Sequence, residues 1–334
     1  MKKYNVAVLG ATGAVGREML KILEERNFPV GEVVALASKR SVGTEIPFMG
    51  KTLIVKEATK DSFEGMDIVL GAASNAIAKE MAPHIVRAGA VFVDNSSAFR
   101  MEEDVPLVVP EINPGDALKN KGIISNPNCS TIITLVAINA LNKVTKIKSL
   151  VASTYQATSG AGAGGPIELI EEVEADLKGE SYDPKVFPHK IAYNVIPKIG
   201  SGTDNAYTTE EMKLQNEGRK IMHLPDLKVS CTCVRVPVVR SHSISVVAVT
   251  EDKVTVEQAK ELIASAPGCK LYDNLSEDIY PMPLVTSDQD TVFVGRIRED
   301  LTNEKGLNIW CCGDQVRKGA ATNAVQIAEL LIEK

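Results

Sequence analysis

Residues 5–16, "NVAVLGATGAVG", leave this chain few folds to choose from. "NVAVLG" is a short apolar run of buried-strand type, and "AVGREMLKILEERN" places Val15, Met19, Leu20 and Leu23 on one helical face. The turn between them, Gly10 to Gly16, has the spacing G-x-x-G-x-x-G, a variant of the dinucleotide fingerprint. Glycines there permit a tight turn and let a pyrophosphate approach the N–H groups at the positive end of the helix. A plain Gly-rich turn is the bland reading; the strand–turn–helix context favours a dinucleotide, with Gly10, Thr12, Gly13, Ala14, Val15 and Gly16 as the contact residues.

The alternation continues. "EVVALAS", "MDIVLGAA", "GAVFVDNSS" and "KGIISNPN" read as further strands, with helical patterns such as "NAIAKEMAPHIVRAG" between some of them. Such alternation predicts a parallel, doubly wound sheet of Rossmann type. After about residue 145 the strands lengthen and partly alternate, as in "KSLVASTYQATS", "KVSCTCVRVPVV", "SISVVAVT", "TVFVGRIRE" and "LNIWCCGD". That pattern suits a mixed or antiparallel sheet with one covered face. The chain is therefore expected to be α/β in two domains: residues 1–130, completed by a C-terminal helix over 316–334, and an α+β domain over 131–315.

Composition narrows the partners. A net charge of −6 offers no basic face, so nucleic acid is not expected. No apolar run is long enough to span a bilayer, and the apolar stretch after the two N-terminal lysines is too short and too soon broken for a signal peptide. A cytoplasmic location follows by default. The six cysteines show no Cys-x-x-Cys or zinc-type spacing, so no metal is expected and reduced thiols are the better reading. Any anionic ligand must be held by a few local cations.

Two local features point to chemistry. The second strand ends "ALASKRS", where an NAD-binding chain would carry a carboxylate for the ribose 2′-hydroxyl. Ser38, Lys39, Arg40 and Ser41 suit a 2′-phosphate instead, so NADP is the expected cofactor. The second feature is "SNPNCSTI". Pro127 pushes Asn126 toward extended geometry, and Asn128 or Cys129 can then begin the helix "STIITLVAINAL". A buried packing cysteine is the commoner fate of the residue type. A thiol at a helix N-terminus, beyond the C-terminal end of a sheet strand, is also where a nucleophile is activated and where such folds bind ligands.

"NPNCSTI", the loop "STYQATSGAGAGG", the helix start "TTEEMK", the strand pair "VRVPVVRSHS", the N-terminal "GATGAVG" and the C-terminal "RKGAATNAVQIAE" together resemble the aspartate-semialdehyde dehydrogenases of bacteria over nearly the whole chain. The resemblance implies NADPH-dependent, reversible reductive dephosphorylation of L-aspartyl-4-phosphate to L-aspartate 4-semialdehyde and phosphate. It implies a place in lysine (diaminopimelate), threonine and methionine biosynthesis, and a homodimer, with a tetramer left open. It makes the 131–315 domain catalytic and dimer-forming. By the same resemblance Cys129 is the nucleophile that forms a thioester, His242 the acid/base that deprotonates it, and Gln156 the residue orienting the substrate. Arg235 clamps the α-carboxylate and Glu210 meets the α-ammonium, while Arg100, Lys213 and Asn128 hold the phosphate. Backbone N–H groups at Asn128 and Cys129 are candidate oxyanion donors. Ser159 and Gly160 in the Gly-rich loop, Asn95 and Asn323 are further cofactor candidates. Glu210 is preferred over the adjoining Glu211 because it stands three residues before Lys213 on a helix.

Two alternatives stand beside this reading. N-acetylglutamyl-phosphate reductase performs the same acyl-phosphate reduction on a blocked amine, which needs no carboxylate partner. A non-catalytic NADP-binding regulator would need no nucleophile.

Overall fold

The computed structural model describes residues 2–332. By internal contacts the chain divides into two units, one running up to Asn128 and resuming at Ala320, the other spanning Cys129–Gly319.

The first unit holds β1 (Tyr4–Leu9), α1 (Ala14–Glu25), β2 (Val30–Ala37), a hairpin of β3 (Glu45–Phe48) and β4 (Lys51–Ile54), β5 (Lys56–Glu57), β6 (Ile68–Gly71), α2 (Asn75–Arg87), β7 (Val91–Asp94) and β8 (Ile123–Ser125). Six of these strands form one parallel sheet in the order β5-β2-β1-β6-β7-β8. Strand alternation sends successive side chains to opposite faces. Val6 and Val8 pack with Met19, Leu20 and Leu23 of α1 and with Ala324, Val325 and Ala328 of the C-terminal helix Thr322–Leu330. Ala7 and Leu9 pack on the other face with Ala78, Met81 and Ile85 of α2. Both faces are covered, which is why these strands read as continuous apolar runs in the sequence. The doubly wound parallel sheet expected from the alternation is present.

The second unit contains α3 (Cys129–Asn142), β9 (Ile147–Gln156), α4 (Gly164–Lys178), α5 (Thr209–Met222), β10 (Lys228–Arg235), β11 (His242–Thr250), α6 (Val256–Ala264), β12 (Cys269–Leu271), α7 (Pro283–Thr286), β13 (Val292–Glu299) and β14 (Gly306–Gly313). Its sheet runs β10-β9-β11-β14-β13-β12. Two pairs are parallel, β9 with β10 and β12 with β13, and the others antiparallel, so the sheet is mixed, as the sequence suggested. α3 is buried from Ser130 to Leu141, because a helix apolar on all sides has no face to give to water. It packs against β9, β11, β13, β14, α5 and α6. Among the described residues no helix is long and apolar enough to cross a membrane, and no group of three potential metal ligands occurs.

Candidate active site

In the first unit the Gly loop leaves β1 beside the end of β6. Gly10 has φ of +88°, and a Cβ there would lie 2.4 Å from the Ala72 carbonyl oxygen. A Cβ on Gly16 would come within 2.2 Å of the Gly10 carbonyl oxygen, so both positions exclude larger residues. Gly13 caps α1 without a side-chain bond, and no acidic residue occupies the first turn. Arg17 is the residue whose N–H reaches the Gly13 carbonyl (3.0 Å), leaving the earlier amides of Ala14, Val15 and Gly16 as the donors a helix start presents to an anion. This cradle fits a dinucleotide pyrophosphate. Beyond β2, Lys39–Ser41 form a short 3₁₀ turn with Ser38, Lys39 and Arg40 exposed. Two cations and two hydroxyls there suit a phosphate.

Asn95 and Asn323 belong to a chain of amides in this unit. Asn126 Nδ2 donates to Asn95 Oδ1 (2.7 Å), and Asn323 Nδ2 donates to Asn126 Oδ1 (2.6 Å) and the Val108 carbonyl (2.9 Å). Asn323 is fully buried. Arg100, also buried, donates to the carbonyls of Asn126 and Asn95, each at 2.9 Å. Asn128 closes the unit and is buried as well.

In the second unit strand direction assembles the site. β9 and β10 run parallel with Gln156 paired to Arg235, so both side chains leave the sheet at its C-terminal end. β11 runs antiparallel to β9 and begins with His242 at that same end, next to the Ser243–Tyr155 pair. α5 packs against β10 and supplies Glu210 and Lys213. Gln156 Nε2 donates to Glu210 Oε1 (3.2 Å), Lys213 Nζ pairs with Glu210 Oε2 (2.7 Å), and Gln156 Oε1 accepts from Thr154 Oγ1 (3.0 Å).

The choice between the two glutamates becomes physical here. Glu211 is half of the capping box that starts α5. Its Oε2 accepts the Thr208 N–H (2.7 Å) and its Oε1 accepts the Cys233 N–H (3.0 Å). Glu210 is the carboxylate turned toward Gln156.

Ala157 ties the centre together through its backbone. Its carbonyl accepts from Arg235 Nη1 (2.6 Å), and its N–H donates to His242 Nδ1 (3.0 Å). His242 is wholly buried, and burial first, then the Arg235 charge, pushes its pKa from 6.5 down to about 3, against the opposing pull of Glu210. Burial also holds the Arg235 guanidinium below its ordinary value, while the nearby Cys129, Glu210 and Cys233 favour its charge. The guanidinium sits 5.8 Å from the centroid of the Phe187 ring. Phe187 in turn is fixed because its N–H, with those of Lys185 and Val186, donates to the buried carboxylate of Glu168.

Cys129 opens α3, placing its thiol at the positive end of a 14-residue helix, partly exposed. Gly319 lies against it: a Cβ at that position would stand 2.9 Å from the Cys129 Cβ. Gly160 has a comparable reason to lack a side chain. A Cβ there would fall 2.8 Å from Arg235 Nη1 and 3.0–3.1 Å from two atoms of the His242 ring. Ser159 accepts a hydrogen bond from Gln315 Nε2, and Gln315 Oε1 accepts the N–H of Ser241 (2.8 Å). Ser241 itself holds a φ of +73° immediately before His242. The six cysteines form no disulfide among the described residues, and Cys231 and Cys233 bring their sulfurs within 3.8 Å on one face of β10.

Sequence reasoning missed Ala157, Phe187, Gln315 and Gly319. Ala157 acts through its peptide group, which no residue type announces. Gln315, in "CCGDQVRKG", carried no periodicity or spacing that would have marked it.

Comparison with known proteins gives a consistent pattern. Residues 5–120 match the family description "Semialdehyde dehydrogenase, NAD binding domain", and residues 138–318 match "Semialdehyde dehydrogenase, dimerisation domain". The aspartate-semialdehyde dehydrogenase of Aquifex aeolicus is 51% identical over 99% of this chain and 98% of its own length. That of Bacillus subtilis is 48% identical over 98% and 97%. The crystal structure of aspartate semialdehyde dehydrogenase II from Vibrio cholerae complexed with ASA superposes with a TM-score of 0.97 at 42% identity, covering 99% of this chain and 98% of that one. An aspartate semialdehyde dehydrogenase with NADP from Candida albicans matches at a TM-score of 0.77 and 25% identity, over 99% of this chain and 98% of that one.

Proposed function

The chain belongs to the aspartate-semialdehyde dehydrogenase family, and we propose how its own residues carry out the family's reaction. That reaction is the reductive dephosphorylation of L-aspartyl-4-phosphate to L-aspartate 4-semialdehyde and phosphate, reversible, and part of aspartate-family amino-acid biosynthesis. The observation that carries the assignment of roles is the convergence of Gln156, Arg235, His242 and the Glu210–Lys213 pair at one end of the mixed sheet.

Cys129 attacks the acyl phosphate and is acylated, releasing phosphate. When bound, the dinucleotide supplies the hydride that reduces the thioester. Arg235, already anchored by Ala157 and Phe187, presents its remaining N–H groups to the α-carboxylate. Glu210 offers its carboxylate to the α-ammonium, a partner that an N-acetylated substrate would not need. Gln156, fixed at both ends of its amide, orients the reacting carbonyl. His242 is the acid/base group, and Arg100, Asn128 and Lys213 are phosphate ligands. Backbone N–H groups at Asn128 and Cys129 are oxyanion donors.

NADP is the preferred cofactor. Support comes from the cations at Lys39 and Arg40 and from a structural relative solved with NADP. Gly10, Thr12, Gly13, Ala14, Val15 and Gly16 hold its pyrophosphate, Ser38, Arg40 and Ser41 its 2′-phosphate, with Asn95, Ser159, Gly160 and Asn323 as further contacts. Residues 1–130 with the C-terminal helix serve the cofactor, and 131–315 serve catalysis and homodimer formation. Cysteines outside any disulfide fit a reducing compartment, the cytoplasm.

The test is the reverse reaction. Aspartate semialdehyde, NADP and phosphate should give a rise in reduced-nicotinamide absorbance that depends on phosphate. No dependence on phosphate, or a clear preference for N-acetylglutamate semialdehyde, refutes the reading.

A further inference from the structure

α4 carries two buried glutamates one turn apart on the same helix face, Glu168 and Glu172. Both are taken up by backbone N–H groups of the chain that follows. Glu168 Oε2 accepts from Lys185 (2.7 Å) and Val186 (2.6 Å), and its Oε1 accepts from Phe187 (2.9 Å). Glu172 Oε2 accepts from Ile191 (2.9 Å) and Ala192 (2.6 Å). Residues 185–192 belong to no helix or strand, so these five bonds stand in for the ladder that the segment lacks. Phe187, Ile191, Ala192 and Ile196 pack with Leu169 of α4 as a small core of their own. The same segment then meets Arg235 twice. Ile196 and Arg235 exchange both backbone hydrogen bonds, each at 2.9 Å, and the Phe187 ring lies 5.8 Å from the guanidinium carbon.

We propose that Glu168 and Glu172 are positioning residues, which act through this strap and its Phe187 ring to hold the Arg235 guanidinium open for the substrate's α-carboxylate. The proposal rests on the reading of Arg235 as the α-carboxylate ligand. A site for an amino acid needs one cation and one carboxylate close together, and those two groups attract each other. The Glu210 charge is near enough to favour the charged form of Arg235. A guanidinium drawn to Glu210 would satisfy both groups and leave neither for the substrate. The Ala157 carbonyl restrains Arg235 on one side and the Phe187 ring on the other, so the fork is oriented before the substrate arrives.

The test is a double-mutant cycle in the reverse assay, with aspartate semialdehyde, NADP and phosphate. Phe187→Leu removes the ring but keeps an apolar side chain and the N–H that Glu168 holds. Its KM for aspartate semialdehyde should rise about tenfold with kcat within about threefold of wild type, the pattern of lost binding rather than lost chemistry. Glu168→Gln leaves one oxygen for three N–H groups and should give the same split. On an Arg235→Lys background either change should cost less than about threefold, because no guanidinium is left to orient. Losses by the same factor on both backgrounds, losses confined to kcat, or wild-type kinetics in Phe187→Leu overturn the proposal. The Tm of each variant separates a misfolded Glu168→Gln from a mispositioned one, and Phe187→Leu carries the test alone if Glu168→Gln does not fold. An unchanged kcat/KM in Arg235→Lys would refute the reading of Arg235 itself, and this proposal with it.

Discussion

Replacing His242 with Asn takes away a wholly buried imidazole whose pKa burial lowers from 6.5 to about 3, and the effect on acid stability can be worked out. Above the ordinary value neither the folded nor the unfolded chain is protonated at this residue. Below it, the unfolded chain takes up a proton that the folded chain refuses, so the folded state loses about 1.4 kcal/mol per pH unit until about pH 3. At about pH 5 that loss is on the order of 2 kcal/mol per chain, and over the whole window on the order of 5. The residue has no exposed surface, so solvent screening does not reduce these figures. Urea unfolding of wild type and His242→Asn at equal chain concentration, at about pH 7.5 and about pH 5, isolates the effect. The lost hydrogen bonds enter at both pH values and cancel. The stability gap between wild type and variant should shift by about 2 kcal/mol in favour of the variant on acidification. A gap that stays constant refutes the claim that burial keeps His242 neutral.

Other outcomes follow from the same geometry. Cys129→Ser should lose essentially all turnover in the phosphate-dependent assay, because a hydroxyl is barely ionised at neutral pH; near-normal activity would remove Cys129 as the nucleophile. Arg40→Glu should erode the preference for NADPH over NADH, measured as the ratio of kcat/KM values, with an unchanged ratio ruling out the "SKRS" turn as the 2′-phosphate site. Gly160→Ala places a methyl 2.8 Å from Arg235 Nη1 and about 3 Å from the His242 ring. It should cut kcat/KM at least tenfold with a far smaller change in Tm, and wild-type kinetics in this variant would mean that the guanidinium and imidazole can move aside freely.

The Gly160 case separates what local pattern shows from what it hides. In the sequence, Gly160–Gly165 could be a hinge, a turn or a cofactor contact, and nothing in the spacing chooses. Only the fold reveals that Gly160 backs onto Arg235 and His242. Glu210 and Glu211 tell the same story, since adjacent carboxylates look alike until one is spent on capping α5 and holding the Cys233 N–H.

The sequence alone determined the alternation of strands and helices, the Gly turn that opens α1, the break before Cys129 that starts α3, and the change from continuous to alternating strands in the second half. All of these are local, because periodicity, glycine freedom and proline geometry act within a few residues of chain. The tertiary structure alone decided that β9 and β10 run parallel while β11 runs against them. That choice brings the end of two strands and the start of a third together, so that Gln156, Arg235 and His242 meet although 86 residues separate the first from the last. Strand pairing is settled by long-range packing, and so is the peptide of Ala157 that anchors both the guanidinium and the imidazole.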